Sequence, residues 1–329
     1  MRRISLTRVL CLMVWLVGLP QAAPAQAPAA ARPDSPAVKA LVEKARKTAG
    51  TTWAEEFHFF CEAPRPNRPD DPPIAPTRIF DDVFAIGNSG TTVYVIRTSA
   101  GLVLIDALAA NQTDTQLLPG LAALGLDPAQ VKHIIVGHGH ADHFGGSAFM
   151  QKRYGAKVYV SAADWDLMAN PPAGRGGPPP TPPPTPPSRD QVVADGQPIV
   201  IGDLTVTPVA IPGHTAGSMG FIFPVKDNGK RHMAALYGGT ILTANIISDD
   251  GLRTYIASVA RFKEATKKAK VDVEIQNHPL MDPIQVKLDR LKTRAKGQPH
   301  PFVVGRDVYQ RFITVMSECS QAQLERRRL

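Results

Sequence analysis

Four residues that can bind a metal lie within six positions of one another. His138, His140, Asp142 and His143 directly follow the strand-like run 133–136. Side chains two positions apart project from the same side of an extended chain, so the first three would point the same way. Imidazole nitrogen and carboxylate oxygen are suitable zinc ligands, and a cluster of this density is unfavourable unless a cation binds it. The spacing therefore predicts a zinc site.

Two more histidines follow strand-like runs later in the chain. His214 lies in Pro-Gly-His-Thr-Ala-Gly-Ser after the run 204–211, and His278 lies in Asn-His-Pro after the run 273–275. Loop positions just past a strand often carry functional groups. Taken singly, each histidine is equally compatible with a structural role. Together with the first cluster they supply six ligands, which are enough for two zinc ions with an open position on each.

Strand and helix patterns are interleaved along the chain that must position these ligands. Apolar runs with turn residues between them predict strands at 83–86, 92–96, 102–105, 133–136, 157–160, 198–201, 204–211, 220–223 and 233–236. Helices are predicted at 37–49, 113–124, 254–268, 284–294 and 307–326. Strands that come in runs in each half favour an α/β sandwich of two helix-covered sheets over a single doubly wound sheet.

The ends and the composition divide the chain into three predicted parts. A basic start, a short apolar run and small residues before the cleavage position predict a signal peptide over residues 1–25, hence a secreted or periplasmic protein. An uncleaved membrane anchor is the alternative, although the apolar run is short for a membrane span. Residues 26–76 are expected to form a flexible N-terminal extension, and residues 77–329 the catalytic domain. Ten prolines within 171–190 predict a stiff loop in that domain.

Composition and charge exclude several classes of partner. The chain is 43% hydrophobic and 20% charged, as in soluble globular proteins, and its formal net charge is +8. Its basic residues are scattered apart from Lys267-Lys268 and the run 326–328, and they lack the interleaved aromatic residues of a nucleic-acid surface. We interpret them as solvated charge, and expect no nucleic-acid partner, no stable membrane insertion after signal cleavage, and a monomer.

Two cysteines remain once the signal peptide is removed. Cys61 and Cys319 would meet an oxidising compartment after export, which favours a disulfide between them over two separate buried thiols. Such a bond would close a very long loop, for which the chain-entropy model gives a stabilisation of about 4–5 kcal/mol.

The histidine motifs together resemble those of the metallo-β-lactamase superfamily. His-x-His-x-Asp-His, Gly-His-Thr-x-Gly-Ser and a late Asn-His-Pro carry the resemblance, which covers roughly residues 79–282. It implies an αβ/βα four-layer sandwich, with two mixed sheets, helices on the outer faces and the zinc site at the edge between the sheets. It also implies two zinc ions, each with three protein ligands. The implied ligand sets are His138, His140 and His214 for the first ion, and Asp142, His143 and His278 for the second.

Four other residues refine this resemblance. Asp106 matches an aspartate that supports the ligands through hydrogen bonds. Gly239 stands where thioesterases of the glyoxalase type and lactonases carry a metal-bridging aspartate, and no cysteine lies nearby as it does in the first β-lactamase subclass. The site therefore resembles the third, cysteine-free subclass. In that setting Thr240 and Ser218 are expected to assist the ligands or the substrate with their hydroxyl groups.

The resemblance implies a hydrolase that opens the β-lactam ring of antibiotics. A hydroxide held between the two zinc ions would attack the ring carbonyl, and Asp142 would be both a ligand and a catalytic group. The same fold also hosts enzymes that act on lactones, esters and phosphodiesters, so these substrates are the alternative. A secreted zinc-binding protein without enzymatic activity is the third possibility. The loop 171–190 leaves the substrate range open.

Overall fold

The computed structural model describes residues 33–62, 71–171, 184–242 and 247–328. The compact unit discussed here spans Asp34–Leu329. The predicted signal peptide and most of the predicted proline-rich loop lie outside the described residues. None of the described helices is both long enough and apolar enough to span a membrane.

Seven strands form the first sheet. They are β1 (Thr77–Arg78), β2 (Val83–Gly87), β3 (Thr92–Thr98), β4 (Gly101–Ile105), β5 (Val131–Ile135), β6 (Lys157–Ser161) and β7 (Gln191–Val193). Each strand pairs with the next one in the chain, antiparallel from β1 to β4 and parallel from β4 to β7. Parallel pairing requires crossover connections, and helices supply most of them.

Five strands form the second sheet. They are β8 (Ile199–Ile201), β9 (Leu204–Ala210), β10 (Met219–Asp227), β11 (Lys230–Tyr237) and β12 (Val273–Glu274). Neighbouring strands are antiparallel except for the parallel pair of β11 and β12. The described residues thus contain two mixed sheets, as the sequence predicts.

Helices cover the outer faces of both sheets. They are α1 (Pro36–Ala49), α2 (Ala54–Phe57), α3 (Leu118–Ala123), α4 (Ala141–Phe144), α5 (Ser147–Tyr154), α6 (Ala162–Ala169), α7 (Asp249–Lys268), α8 (Ile284–Lys292) and α9 (Arg306–Arg326). Ser35 caps the N-terminus of helix α1, because its hydroxyl oxygen accepts a hydrogen bond from the Val38 amide at 3.2 Å.

Alternation along the strands distributes side chains among three cores. In β10, Phe221 and Phe223 face the core between the two sheets, whereas Ile222 faces the core between the second sheet and helices α1, α7 and α9. A third core lies between the first sheet and helices α3, α5 and α6. Because strand side chains alternate with a period of two, one apolar strand can serve two cores. The result is the expected four-layer αβ/βα sandwich.

The N-terminal segment differs from the predicted flexible extension. Residues 34–62 are helical and buried against α9, where the rings of Trp53 and Phe312 lie 5.0 Å apart and the Trp53 indole donates to the Val308 carbonyl at 2.9 Å. Asp34 pairs with Arg326 at the far end of α9. The segment contains four buried aromatic side chains, and these bury enough apolar surface to order it.

Candidate metal centre

The ligand loops meet where the ends of the two sheets approach each other. The Met219 amide donates to the Gly137 carbonyl at 2.9 Å, and the Gly238 amide donates to the Met219 carbonyl at 3.1 Å. A Cβ atom at Gly238 would lie 2.9 Å from the Cα of Gly137 and 2.1 Å from the Met219 oxygen. Glycine is therefore required at position 238, because any side chain would separate the sheets at this point.

The first group of ligands comprises His138, His140 and His214. The His214 Nε2 atom lies 3.0 Å from the His138 Nε2 and 3.0 Å from the His140 Nδ1, and those two atoms are 3.1 Å apart. The three nitrogens thus form a nearly equilateral triangle. A triangle of this size allows an ion to lie about 2.0–2.1 Å from each nitrogen, which is the usual zinc–imidazole distance.

The second group comprises Asp142, His143 and His278. The two imidazoles bring their Nε2 atoms to 2.8 Å from each other, and each lies 3.5 Å from Asp142 Oδ2. Helix α4 carries Asp142 and His143, while His278 arrives from the loop after β12. The six predicted ligands therefore converge as two groups of three, each with its ligand atoms within 4.8 Å of one another.

In three of the imidazoles, the ring nitrogen that faces away from the ligand group forms a hydrogen bond with a backbone carbonyl. His138 Nδ1 donates to the Gly238 carbonyl at 2.6 Å and His214 Nδ1 to the Ile241 carbonyl at 2.6 Å. His278 Nδ1 donates to the Gly90 carbonyl at 2.7 Å. A ring that donates from Nδ1 in its neutral form carries a lone pair on Nε2. Lone pairs therefore point into each group, and such an arrangement suits a cation between them.

The charges of the histidines agree with this interpretation. Burial lowers the pKa of His138 and His214 well below the ordinary value, and the neighbouring imidazoles lower it further. Burial, followed by the proximity of His143, lowers the pKa of His278 to about 4. These three rings are neutral at pH 7, which is the form that binds metals.

The second group contains an ionised carboxylate. Burial opposes ionisation of Asp142, but His143 and His278 outweigh it, so the pKa of this carboxyl lies below its ordinary value. Burial likewise opposes charge on His143, yet Asp142 and Asp106 raise its pKa above the ordinary value. Two carboxylates beside one imidazole attract a cation.

Asp106 supports the second group as the sequence predicts. It lies at the end of β4 with a φ of 66°, and its Oδ2 accepts from His143 Nδ1 at 2.7 Å. The Asn277 amide donates to the same oxygen at 2.8 Å, and the Gly137 amide donates to Oδ1 at 2.7 Å. Asp106 therefore fixes the orientation of one ligand and connects the loops after β5 and β12.

Asp164 holds the first group together, and the sequence patterns do not predict this role. This fully buried residue lies in the first turn of α6. Its Oδ2 accepts from the Gly139 amide at 2.8 Å and from the Thr215 hydroxyl at 2.7 Å, while Oδ1 accepts from the Gly217 amide at 3.0 Å. One carboxylate therefore joins the loop of His138 and His140 to the loop of His214.

Ser218 and Thr240 support the loops but do not face the substrate side. The Ser218 hydroxyl is 1% exposed and bonds to the Thr215 hydroxyl at 2.7 Å. The Thr240 hydroxyl is fully buried against the Tyr237 carbonyl at 2.6 Å and Gln276 Oε1 at 2.9 Å. Both hydroxyls therefore form hydrogen bonds within the protein that support the ligand loops, and a contact with substrate stays a prediction.

Gly239 leaves no space for a metal-bridging side chain. A Cβ atom there would lie 2.8 Å from Ser218 Oγ and 3.0 Å from the Cβ of His214. A larger residue would press directly on a ligand of the first group. The missing carboxylate at this position is thus consistent with the local packing.

Other histidines lie away from the two groups. His133 bonds to the Tyr159 hydroxyl at 3.0 Å, His232 to Asp272 at 2.8 Å and His300 to the Ile79 carbonyl at 2.7 Å. Each of these rings therefore has a local structural partner.

Comparison with known proteins agrees with this fold and site. A family model described as the metallo-beta-lactamase superfamily matches residues 86–227. The solved structure of BJP-1, a subclass B3 metallo-β-lactamase of Bradyrhizobium japonicum, is 26% identical with a TM-score of 0.63. That match covers 75% of this chain and 92% of BJP-1. FEZ-1 from Legionella gormanii shares the fold at 23% identity, with a TM-score of 0.65 and coverage of 79% and 99%.

Matches to curated sequences are shorter. An exodeoxyribonuclease WalJ of Streptococcus pneumoniae is 31% identical over 88 residues, which are 27% of this chain and 31% of that protein. A hydroxyacylglutathione hydrolase of Rhodopseudomonas palustris is 27% identical over 105 residues, which are 32% of this chain and 34% of that enzyme. The chain thus spans about a third of the length of these relatives. Family model, fold and ligand geometry agree that the chain carries a metallo-β-lactamase superfamily domain.

Proposed function

We propose that the protein is a dizinc hydrolase that opens the β-lactam ring. The observation that carries the proposal is the pair of three-residue ligand groups beside a glycine at position 239, with no cysteine and no bridging aspartate among the described residues of the site. The likeness in fold to subclass B3 β-lactamases supports the same conclusion.

The grouping of the six side chains supports two ligand sets. One ion would bind to His138, His140 and His214, and the other to Asp142, His143 and His278. Bound zinc lowers the pKa of a water ligand to about 7 and polarises a carbonyl, so it supplies a nucleophile and an electrophile at neutral pH.

The chain's own side chains orient the reactants. Asp142 has a side chain that is 33% exposed, whereas His143 and His278 beside it are buried. Its ionised carboxylate lies at the open side of the second group, where it can accept a hydrogen bond from the attacking water and orient it. The buried Asp106 and Asp164 fix the ligand loops through hydrogen bonds, which holds the ligand groups in place for the reaction.

A thioester or ester substrate is the second candidate. It is favoured by the sequence matches to hydroxyacylglutathione hydrolases, although these cover a third of the chain. Position 239 separates the two candidates, because this chain lacks the carboxylate that the resemblance assigns to enzymes of that type.

Hydrolysis assays with zinc-loaded protein test the proposal. We expect turnover of penicillins, cephalosporins including nitrocefin, and carbapenems, loss of turnover after chelation, and recovery when zinc is added. His140→Ala should reduce the rate at least about a hundredfold, since it removes a ligand. His58→Ala is the matched control, because His58 is exposed on the N-terminal segment and pairs only with Glu62 among the described residues. Protein that binds zinc and hydrolyses thioesters, yet leaves every β-lactam intact, would overturn the proposal.

We also infer export to the periplasm, motivated by the signal-like residues 1–25. N-terminal sequencing of the protein recovered from the periplasmic fraction should begin just after Ala25. Recovery of the protein with an intact N-terminus in the membrane fraction would instead support the uncleaved anchor.

A further inference from the structure

A polar cavity lies away from the metal-binding groups. It has a volume of about 280 Å³ and is lined by Arg231, His232, Lys270, Asp272 and Arg306, together with two apolar residues. Its residues come from the start of β11, the end of α7, the segment before β12 and the start of α9. The sequence suggests that these basic residues are scattered, whereas the fold brings three of them to one cavity.

Among the residues that the structure describes, Arg231, Lys270 and Arg306 form no salt bridge. Among the described residues, Asp272 is the one carboxylate that lines the cavity, and its oxygens bond to the His232 ring at 2.8 Å and the Met233 amide at 2.9 Å. Three cationic side chains against one carboxylate leave the described lining of the cavity with a net positive charge.

Lys270 lies in a backbone conformation that favours glycine. Its φ is 57°, and it follows Ala269, which ends helix α7. The Lys270 amide donates to the Lys267 carbonyl at 3.1 Å and the Val271 amide to the Thr266 carbonyl at 3.0 Å, which is the hydrogen-bond pattern of a Schellman cap. Glycine is the usual residue at this position, so lysine is conformationally unfavourable there.

The two arginines can donate the hydrogen bonds that a phosphate group accepts. Arg306 is the first residue of α9, and the preceding Gly305 has no side chain with which to cap the helix. A guanidinium group binds phosphate through two parallel hydrogen bonds, and the ammonium group of lysine adds a point charge. We propose that this cavity binds the phosphate group of a small anion.

The cavity is independent of the metal-binding groups and of the function proposed above. Arg231 lies seven residues before Gly238 on a strand that rises about 3.3 Å per residue, which separates the two sites by roughly 20 Å. Loss of phosphate binding should therefore leave hydrolysis unchanged, and failure of one proposal does not affect the other.

Calorimetric titration of the full zinc-loaded protein with pyrophosphate tests this inference. We expect saturable binding that weakens with added salt, and an affinity at least about tenfold lower for Arg306→Gln, since each charged hydrogen bond is worth about that factor. Arg306→Lys should lose part of the affinity for pyrophosphate, because lysine keeps the positive charge but cannot form the two parallel hydrogen bonds of a guanidinium group. Arg290→Gln is the matched control, since it removes an exposed arginine of α8 that lies outside the cavity.

Lys270→Gly separates a binding role from a structural one. Glycine suits the left-handed conformation, so this variant should unfold at the same urea concentration as the wild type or a higher one. Its affinity for pyrophosphate should nevertheless fall about tenfold, because a charged partner of the anion is lost. Unchanged affinity in both Arg306→Gln and Lys270→Gly, in proteins that remain folded, would overturn the proposal.

Two sources of a phosphate group can be distinguished by a second measurement. Sedimentation with phosphatidylglycerol vesicles, compared with phosphatidylcholine vesicles, tests a lipid headgroup as the source. Vesicle binding that Arg306→Gln abolishes, without binding of pyrophosphate, would assign the phosphate to a lipid. Binding to neither probe would overturn the proposal.

Discussion

At the scale of single residues, the ligand rings owe their orientation to acceptors on other loops. The carbonyls of Gly90, Gly238 and Ile241 and the carboxylate of Asp106 each accept from one ring. Rings held in this way are ready for a metal before it binds, because their tautomers and planes are already set. The same principle gives Asp164 its importance, because it fixes the loops that carry three of the ligands.

Replacing Asp164 by asparagine should weaken metal binding. The side-chain NH2 group of asparagine would face the backbone N–H of Gly139 or of Gly217. Both groups are hydrogen-bond donors, so that hydrogen bond would be lost and the two ligand loops would separate. We expect zinc affinity of the first group to fall about 10–100-fold, measured by competition with a chromogenic chelator. Asp166→Asn is the control, because Asp166 lies on the same helix and is exposed. Equal zinc affinity of the two variants would contradict this role.

The ligands and Asp106 could be predicted from the sequence, whereas Asp164 could not. Histidines at short spacing directly after a strand are typical of a metal site, and the resemblance to the superfamily implies the role of Asp106. Asp164 lies three residues after Ser161 in the first turn of a helix, where acidic residues are common, so its presence suggests nothing beyond a favourable helix start. Its long-range contacts appear only once the fold brings α6 beside both loops.

At the scale of elements, a buried charged cluster joins α2, β12 and α8 beneath the loop of His278. Lys287 donates to Glu274 and, at 2.7 Å, to Asp282. Glu56 of α2 is fully buried, and neither of its carboxylate oxygens has a hydrogen-bond partner among the described residues. Burial and the nearby Asp282 raise the pKa of Glu274 to about 8.

Lys287→Met should destabilise the fold strongly. It would leave the carboxyls of Glu274 and Asp282 buried without a cationic partner, and breaking a buried ion pair typically costs about 3–5 kcal/mol. Urea unfolding of the metal-free protein measures the change directly. Lys292→Met on the same helix removes an exposed pair with Asp289 and should change the free energy of unfolding by less than about 1 kcal/mol. A loss that is similar in the two variants would contradict the role of the buried cluster.

Glu56→Gln should change how stability depends on pH. Burial raises the pKa of Glu56 well above 4.5, and Glu274 and Asp282 raise it further. The folded protein therefore holds a proton that the unfolded chain releases above about pH 4.5, so this contribution to stability is lost as the pH rises toward the folded-state pKa. Glutamine does not titrate. Relative to the wild type, the free energy of unfolding of the variant should therefore increase by up to about 1.4 kcal/mol per pH unit between about pH 4.5 and the folded-state pKa of Glu56.

Urea unfolding at pH 5 and pH 8 measures this difference. Glu55→Gln is the control, because Glu55 is the exposed neighbour on the same helix. If wild type and Glu56→Gln lose or gain stability in parallel between these pH values, Glu56 is not protonated in the folded protein.

Most elements could be predicted from the sequence, and the exceptions have physical causes. The strands of both sheets follow from their apolar runs, but β7 has only three residues, two of them exposed, and so gives no pattern. Helix α6 carries little amphipathic signal because polar and apolar residues are mixed around it. Helix α1 is predicted at 37–49, whereas its packing against α9 depends on contacts between residues that are far apart in the sequence.

At the scale of the whole molecule, the Cys61–Cys319 disulfide joins the N-terminal segment to α9 across 258 residues. The predicted pairing is present in the structure, and both cysteines are fully buried. We expect Cys61→Ala/Cys319→Ala to lower the free energy of unfolding by about 2–5 kcal/mol, measured by urea titration. Comparable stability of this variant and the oxidised wild type would contradict that expectation.

The position of the disulfide has a further consequence for fragments of the protein. A covalent bond near both ends makes residues 61–319 a closed ring. A protease that cuts one peptide bond anywhere in that ring opens it without dividing it, so the nicked protein would keep its mass on a non-reducing gel and separate into two bands only after reduction. A protein built in this way can survive a single cleavage with all six predicted ligands still on one covalent molecule.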